Sequence, residues 1–349
     1  MRTIEIAGRK IGPGHPVFII AEAGVNHNGD LDLALRLVDA AAEAGADAVK
    51  FQTFKAEKLV SASAPKAEYQ KKLAGEGQSQ LEMVKKLELG HDSFRKLKEH
   101  CEKRRIMFLS TGFDEETVDF LDGIGMAAFK VGSGDLTHHD HLRHVASKGK
   151  PVLLSTGMAG WKEVEDAVSV LRKNGTKEIA LFHCVSSYPA PPADCNLRAI
   201  PEMAGRFGVS VGWSDHTRGI HVSLAAVAIG ASLLEKHFTL DRRMEGPDHV
   251  SSIEPDDLRN LVSQARDIEA AMGENEKRLR PSEVNVSEVA RRSLHVSREL
   301  PEGHVISKAD LVSIRPGTGI SPAKRDSVIG RKLNRPLKRG AMLREEDMD

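Results

Sequence analysis

The sequence predicts a (β/α)8 barrel followed by a small two-part C-terminal domain, and three observations carry that prediction. Eight short apolar runs recur between residues 17 and 238, helix-patterned stretches separate most of them, and the tail repeats itself at a period of 37 residues. The runs are VFIIAEA (17–23), DAVKFQ (47–52), IMFLST (106–111), AAFKVG (127–132), PVLLSTG (151–157), IALFHC (179–184), VSVGWS (209–214) and SLLEKHF (232–238). Between them lie stretches such as LDLALRLVDAAAEAGA (31–46), whose apolar spacing is that of an amphipathic helix. Alternation of this kind implies repeated βα units and a parallel sheet. Eight units over about 250 residues point to a closed barrel. An open doubly wound sheet is the alternative, weakened because no GxGxxG motif follows the first run.

One connection is long. Residues 53–92 include the small and polar stretch SASAPKAEYQKKLAGEGQSQ. Loops of this length in compact domains are usually functional or disordered. On a barrel this one follows a strand, at the face where active sites sit, and is read as a partial lid.

The tail begins near Glu283. LPEGHVISKAD (300–310) and LKRGAMLREED (337–347) match at Leu300/Leu337, Gly303/Gly340, Ile306/Leu343 and Asp310/Asp347. Such a repeat predicts a small domain of two similar halves. The polar stretch GENEKRLRPSEVNVSE (273–288) reads as a linker, which divides the chain into a barrel, 1–280, and a small domain, 281–349.

Composition narrows the function. Fifty basic residues balance fifty acidic ones, so no overall field favours nucleic acid or an anionic membrane, and any anion site must be local. Cys101, Cys184 and Cys195 are odd in number and lack zinc-like spacing, which fits a reducing compartment. The N-terminus has no apolar signal core, and no apolar stretch reaches the ~20 residues needed to span a bilayer. The expected location is the cytoplasm.

Strand periodicity then groups the polar residues. Residues two apart face one side, which places Glu235 and His237 together and turns Lys236 away. One strand earlier GWSDHT ends in Asp215 and His216. Two imidazoles meeting across adjacent strand ends, with carboxylates near, suit manganese, zinc or iron and leave positions open for substrate oxygens. Two unrelated polar histidines are the plainer alternative. Lysines stand at the ends of two more strands, Lys50 and Lys130, where burial is costly unless they are paired or functional. Lys50 shares a face with Gln52. Lys130 precedes Gly132-Ser133-Gly134, and Ser155-Thr156-Gly157 and Ser110-Thr111-Gly112 repeat the theme. Hydroxyls, amides and two cations would suit a phosphate and a carboxylate. A Schiff-base lysine is the alternative. Glu22, closing the first strand, reads as a general base or water-orienting group, or as a mere anchor for Asn26 or His27.

In AEAGVNHNG (21–29), AGADAVKFQTF (44–54), QLEMVKKLEL (80–89), FLSTGFD (108–114), FKVGSGDL (129–136), LLSTGM (153–158), HCVSSYPAPP (183–192), GWSDHT (212–217), LEKHFTLDR (234–242), GPDH (246–249) and RRSL…IRPG (291–294, 314–317), the chain resembles the sialic acid synthase family. That family includes N-acetylneuraminate, legionaminate and pseudaminate synthases, and the motifs run in order through nearly the whole chain. The resemblance implies a (β/α)8 TIM barrel with a C-terminal antifreeze-protein-like (SAF-type) domain, in a homodimer whose swapped small domains cap each other's active sites. It implies a transferase that joins phosphoenolpyruvate to an amino-sugar aldehyde. His216 and His237 would bind a divalent metal, usually Mn2+, with Mg2+ or Co2+ as other candidates. Lys50, Lys130, Ser133 and Ser155 would hold phosphoenolpyruvate, with Thr111 and Ser186 nearby. Gln52, Tyr188 and Asp248 would meet the sugar, Arg315 would reach it from the partner chain, and Glu22 and Glu235 would position water or the aldehyde. Asp135 replaces the glutamate of the GSGE motif found in neuraminate-forming bacterial members, and Ser186 replaces an asparagine; both positions bear on the acceptor sugar. N-acetylmannosamine is the favoured acceptor, with a diacetamido-trideoxyhexose (legionaminate or pseudaminate formation) as the alternative. Condensing enzymes making seven- or eight-carbon keto acids, and a non-enzymatic sugar- or phosphate-binding protein, are the rival readings.

Overall fold

The computed structural model describes residues 2–61, 63–64 and 79–349. It divides into two compact units, Met1–Gly273 and Glu274–Asp349. The first unit opens with a hairpin that the sequence reading missed, β1 (Ile4–Ile6) and β2 (Arg9–Ile11). Its two-residue turn, Ala7-Gly8, has positive φ at both positions, the backbone that matches the twist of paired strands.

Eight parallel strands follow, one in each expected run. They are β3 (Phe18–Gly24), β4 (Ala48–Thr53), β5 (Met107–Gly112), β6 (Phe129–Val131), β7 (Val152–Ser155), β8 (Ile179–Cys184), β9 (Ser210–Asp215) and β10 (Leu233–His237). β10 pairs with β3, closing the barrel and excluding the open-sheet alternative.

Alternation along the strands creates two environments. Outward residues such as Ile19, Val49, Leu154, Leu181, Trp213 and Leu234 pack under the surrounding helices in one large apolar core. Inward residues near the strand starts, including Phe18, Ile20, Leu109, Leu153, Phe182 and Leu233, form a second apolar cluster with Ile4, Ile6 and Ile11 of the hairpin. The hairpin thus plugs the N-terminal end of the barrel. One inward step further along the same strands the residues become polar, and the site is built there.

The helix Leu31–Glu43 shows how local sequence sets these elements. Asp30 caps it, its carboxylate accepting from the Asp32 and Leu33 amides, and Leu37, Val38 and Ala41 form its buried stripe. The helix Gln80–Lys86 begins with a reciprocal cap between Ser79 and Glu82. Residues 62 and 65–78, the middle of the expected lid, lie outside the described residues.

In the second unit the repeat pairs with itself. Leu300 and Leu337 exchange backbone hydrogen bonds of 2.9 Å in each direction. Gly303 and Gly340 share a φ of 80°. Asp310 accepts from the Ser307 amide and pairs with Arg298, and Asp347 accepts from the Arg344 amide and pairs with Arg335. Ile306 and Leu343 are both in the unit's core, with β11 (Ser293–Val296) and β12 (Leu311–Ile314) antiparallel beside them. The expected linker is helical in its second half, in the turn Pro281–Glu283 and the helix Val284–Ala290.

Candidate active site

The expected residues gather at the carboxyl ends of the strands because they occupy one parity of each. Phe18, Ile20 and Glu22 share a face, as do Ala48, Lys50 and Gln52, and Leu233, Glu235 and His237. Strand register then aligns neighbours: His237 lies opposite Glu22, Glu22 opposite Lys50, Gln52 opposite Thr111, and Thr111 opposite Lys130.

Two buried lysines alternate with two buried carboxylates. Lys50 Nζ lies 2.8 Å from Glu22 Oε2 and 3.8 Å from Glu235 Oε2, and it donates to Thr111 Oγ1 at 3.2 Å. Lys130 Nζ lies 3.7 Å from Glu235 Oε1 and donates to Ser155 Oγ at 2.7 Å. Ser214 Oγ donates to Glu235 and Gln52 Nε2 to Glu22. The environments push the carboxyls apart. Burial raises Glu22 to about 7, with the Lys50 charge opposing and Glu235 adding to the rise. Burial would raise Glu235 too, but Lys130 and Lys50 outweigh it and hold the group below its usual range. Lys50 is raised: the attraction of Glu22 and Glu235 exceeds the cost of burial. Burial lowers Lys130.

Ser133 and Ser186 meet around Gly157. The Gly157 amide donates to Ser133 Oγ at 3.0 Å, and a Cβ built at Gly157 would fall 2.4 Å from Ser186 Oγ and 2.9 Å from both Ser133 Oγ and Cys184 Sγ. The backbone there leaves no room for a side chain.

His216 and His237 are adjacent, with ring centres 5.5 Å apart and planes inclined at 60°. His216 Nδ1 bonds the Val185 carbonyl at 2.7 Å, a contact in which the ring is the donor, leaving Nε2 with its lone pair. Burial lowers His216, and burial with the neighbouring cationic groups takes His237 well below the usual range, so both rings are neutral near pH 7. His237 Nδ1 is buried without a hydrogen bond, 3.8 Å from Asp248 Oδ2. Neutral imidazoles, one oriented by a carbonyl and one carrying an unsatisfied buried nitrogen, are a donor pair that fits a divalent ion. Among the described residues no group of three or more His, Cys, Asp or Glu is arranged as a metal cage, so the chain offers two imidazoles and would leave the other positions to oxygen ligands.

Tyr188 packs against both imidazoles, its ring centre 4.1 Å from that of His216 and 5.6 Å from that of His237. Burial raises Asp248 to about 6. Gln52, Tyr188, His237 and Asp248 line a cavity of about 730 Å3 together with Ser61, Gln80 and apolar residues that include Val25, Phe54, Leu59, Val60, Leu87 and Phe113.

Two expected residues stand apart. Asp135, in the turn Ser133–Asp135, forms no side-chain hydrogen bond or ion pair among the described residues; burial raises it and His138 is the charge it feels. Arg315 belongs to the second unit, where its Nε donates to the Ala290 carbonyl at 3.0 Å. Glu22 does not anchor Asn26 or His27: it pairs with Lys50 and Gln52, while the Asn26 amide donates to the Phe238 carbonyl and Ser252 Oγ. Asp215, expected near the imidazoles, faces outward with Lys236. Sequence reasoning passed over Cys184 and Ser214, although each ends an inward-facing series that parity alone reveals (180, 182, 184 and 210, 212, 214).

A closed eight-stranded barrel with cations, carboxylates and imidazoles at the carboxyl ends of its strands defines the class of (β/α)8 enzymes. Within it the chain belongs to the NeuB family, the sialic acid synthases: the NeuB family model matches residues 37–277 and the SAF domain model matches 291–348. An N,N'-diacetyllegionaminic acid synthase of Campylobacter jejuni is 46% identical over 94% of this chain and 98% of its own length. A Legionella pneumophila protein of the same name is 45% identical, over 97% of this chain and 96% of its own. The crystal structure of the N-acetylneuraminic acid synthetase of Leptospira borgpetersenii, in complex with citrate, matches with a TM-score of 0.74 and 39% identity, covering 82% of this chain and 95% of that one. The chain is therefore an enzyme of the phosphoenolpyruvate-condensing sialic acid synthase family. No helix among the described residues is long and apolar enough to cross a membrane.

Proposed function

We propose that this protein condenses phosphoenolpyruvate with a diacetamido-trideoxyhexose and water, giving a legionaminate-type nine-carbon keto sugar acid and phosphate. The observation that carries the choice of sugar is the pair of legionaminic acid synthases at 46% and 45% identity over almost their full length. It moves the preference away from N-acetylmannosamine, the acceptor favoured from the sequence motifs. The cavity beside His237 supports the same choice. Most of its described lining residues are apolar and none is a lysine or arginine, which suits a methyl group at C6 better than a hydroxymethyl or a phosphate.

In this reading Lys50 and Lys130 bind the phosphate and carboxylate of phosphoenolpyruvate, with hydroxyls from Thr111, Ser133, Ser155 and Ser186. At an effective dielectric of ~20, one cation 4 Å from an anion contributes about 4 kcal/mol, so two buried lysines suffice without overall basicity. Gln52, Tyr188 and Asp248 orient the sugar, and Arg315 reaches it from the partner of a swapped homodimer. His216 and His237 would hold a divalent ion, Mn2+ by family resemblance, and when bound it would supply Lewis-acid polarisation of a carbonyl oxygen. C3 of phosphoenolpyruvate attacks the aldehyde carbon, and positive charge develops at C2. Glu235, held ionised by two lysines, stabilises that charge. Glu22, with a pKa of about 7, takes one proton of the water that adds at C2 and passes it to the alkoxide left on the former aldehyde carbon; the C2 hydroxyl then gives its proton to the phosphate as that group leaves by C–O cleavage.

The test compares phosphate release and product mass for N-acetylmannosamine and the two diacetamido-trideoxyhexoses, each with phosphoenolpyruvate and Mn2+. The legionaminate precursor is expected to give the highest kcat/KM. A higher value for N-acetylmannosamine would overturn the choice of acceptor, and no phosphate release with any sugar would overturn the reaction.

A further inference from the structure

The residues immediately preceding the two imidazoles are bonded to each other. Asp215 precedes His216 and Lys236 precedes His237, and the strand register sets Lys236 directly opposite Asp215. Both side chains point to the outer face of the barrel, opposite to Glu235 and His237. There Lys236 Nζ lies 3.1 Å from Asp215 Oδ2, with the two side chains 1% and 0% exposed. The pair is wired into the chain on either side of His216. Asp215 Oδ1 accepts from the Thr217 amide at 2.7 Å and Oδ2 accepts from Ser223 Oγ, while Lys236 Nζ also donates to the Thr217 carbonyl. His216 is thus held between two residues, 215 and 217, that are both fastened to the strand carrying His237.

We propose that Asp215 and Lys236 are positioning residues that set the spacing and inclination of the His216 and His237 rings, and thereby the affinity of that pair for a divalent ion. A buried ion pair is weak evidence for stability, because two apolar side chains of similar volume often serve a core as well or better. What the ionic version adds is a fixed geometry between two strand ends. The pair adds a side-chain tie to the backbone pairing of residues 215 and 236, and each member is the immediate chain neighbour of one imidazole. Groups that orient metal-binding histidines from outside the ligand set typically alter metal affinity by about 10- to 100-fold when removed.

The proposal rests on the assignment of His216 and His237 as an ion-binding pair, and the experiment separates the two. Mn2+ binding to the purified full chain is measured without substrates, by titration calorimetry and by the electron paramagnetic resonance signal of free Mn2+. The variant is D215N/K236M, which removes both charges and nearly conserves volume. It is expected to keep its circular dichroism spectrum, to bind Mn2+ at least about tenfold more weakly, and to need correspondingly more Mn2+ for half-maximal phosphate release. KM for phosphoenolpyruvate is expected to stay unchanged. Wild-type affinity in a folded double variant overturns the proposal alone. Absence of Mn2+ binding in the wild-type chain overturns the assignment of the imidazoles and the proposal with it. Should the double variant not fold, S223A, which removes one hydrogen bond from the same carboxylate, is read instead: about threefold weaker Mn2+ binding supports the proposal and unchanged binding overturns it.

Discussion

Glu22 and Lys50 face each other across adjacent strands, carboxylate oxygen to ammonium at 2.8 Å, and both side chains are at most 3% exposed. Strand register sets Glu22 between Lys50 on one neighbouring strand and His237 on the other.

A carboxyl whose pKa rises on folding, here from 4.5 to about 7, holds its proton more tightly in the native chain. Its contribution to stability is complete below about pH 4.5 and is lost as the pH climbs through about 7. The melting temperature of the wild-type chain should therefore fall across this window relative to that of Glu22→Gln, and the difference should level off above it. Thermal melts of both proteins at half-unit pH steps check this, and parallel curves would contradict it.

Lys130 donates to Ser155 Oγ at 2.7 Å and lies 3.7 Å from Glu235. Lys130→Met should raise KM for phosphoenolpyruvate about 10- to 100-fold, the usual worth of a charge-assisted hydrogen bond, and change KM for the sugar little. Steady-state kinetics with each substrate varied in turn would show it.

Chelation should abolish phosphate release, and added Mn2+ should restore it. His216→Ala should lower kcat by at least about 100-fold even at saturating Mn2+, since Lewis-acid polarisation contributes several kcal/mol to the transition state. Turnover that survives chelation would end the metal assignment.

Gly157→Ala would drive a methyl group into Ser186, Ser133 and Cys184. KM for phosphoenolpyruvate should rise about tenfold, as the hydroxyls on either side are forced apart by overpacking. Steady-state kinetics with phosphoenolpyruvate varied would show it, and an unchanged KM would contradict it.

Much of this arrangement was legible from the chain itself. Each apolar run holds one strand because parallel strands covered on both faces must be apolar almost throughout. The polar interruptions in those runs, Glu22, Lys50, Lys130 and Glu235, stood out because charge inside a barrel is costly without a purpose. The C-terminal repeat was visible because Leu300 and Leu337, and Asp310 and Asp347, do the same work in each half. The N-terminal hairpin escaped notice because two three-residue strands leave too short a pattern. Cys184 and Ser214 escaped because they are ordinary residues in sequence and acquire meaning only from their neighbours.

Sequence alone determined the barrel, its repeated tail, and which side chains face inward, because these follow from the count of apolar runs, a 37-residue repeat and period-two alternation within single strands. Tertiary structure decided the partnerships: that Glu22 meets Lys50 rather than Asn26, that Asp215 pairs with Lys236, and that Ser133 and Ser186 converge on Gly157. These depend on the register between strands far apart in the chain, which no local pattern encodes and which only closure of the barrel imposes.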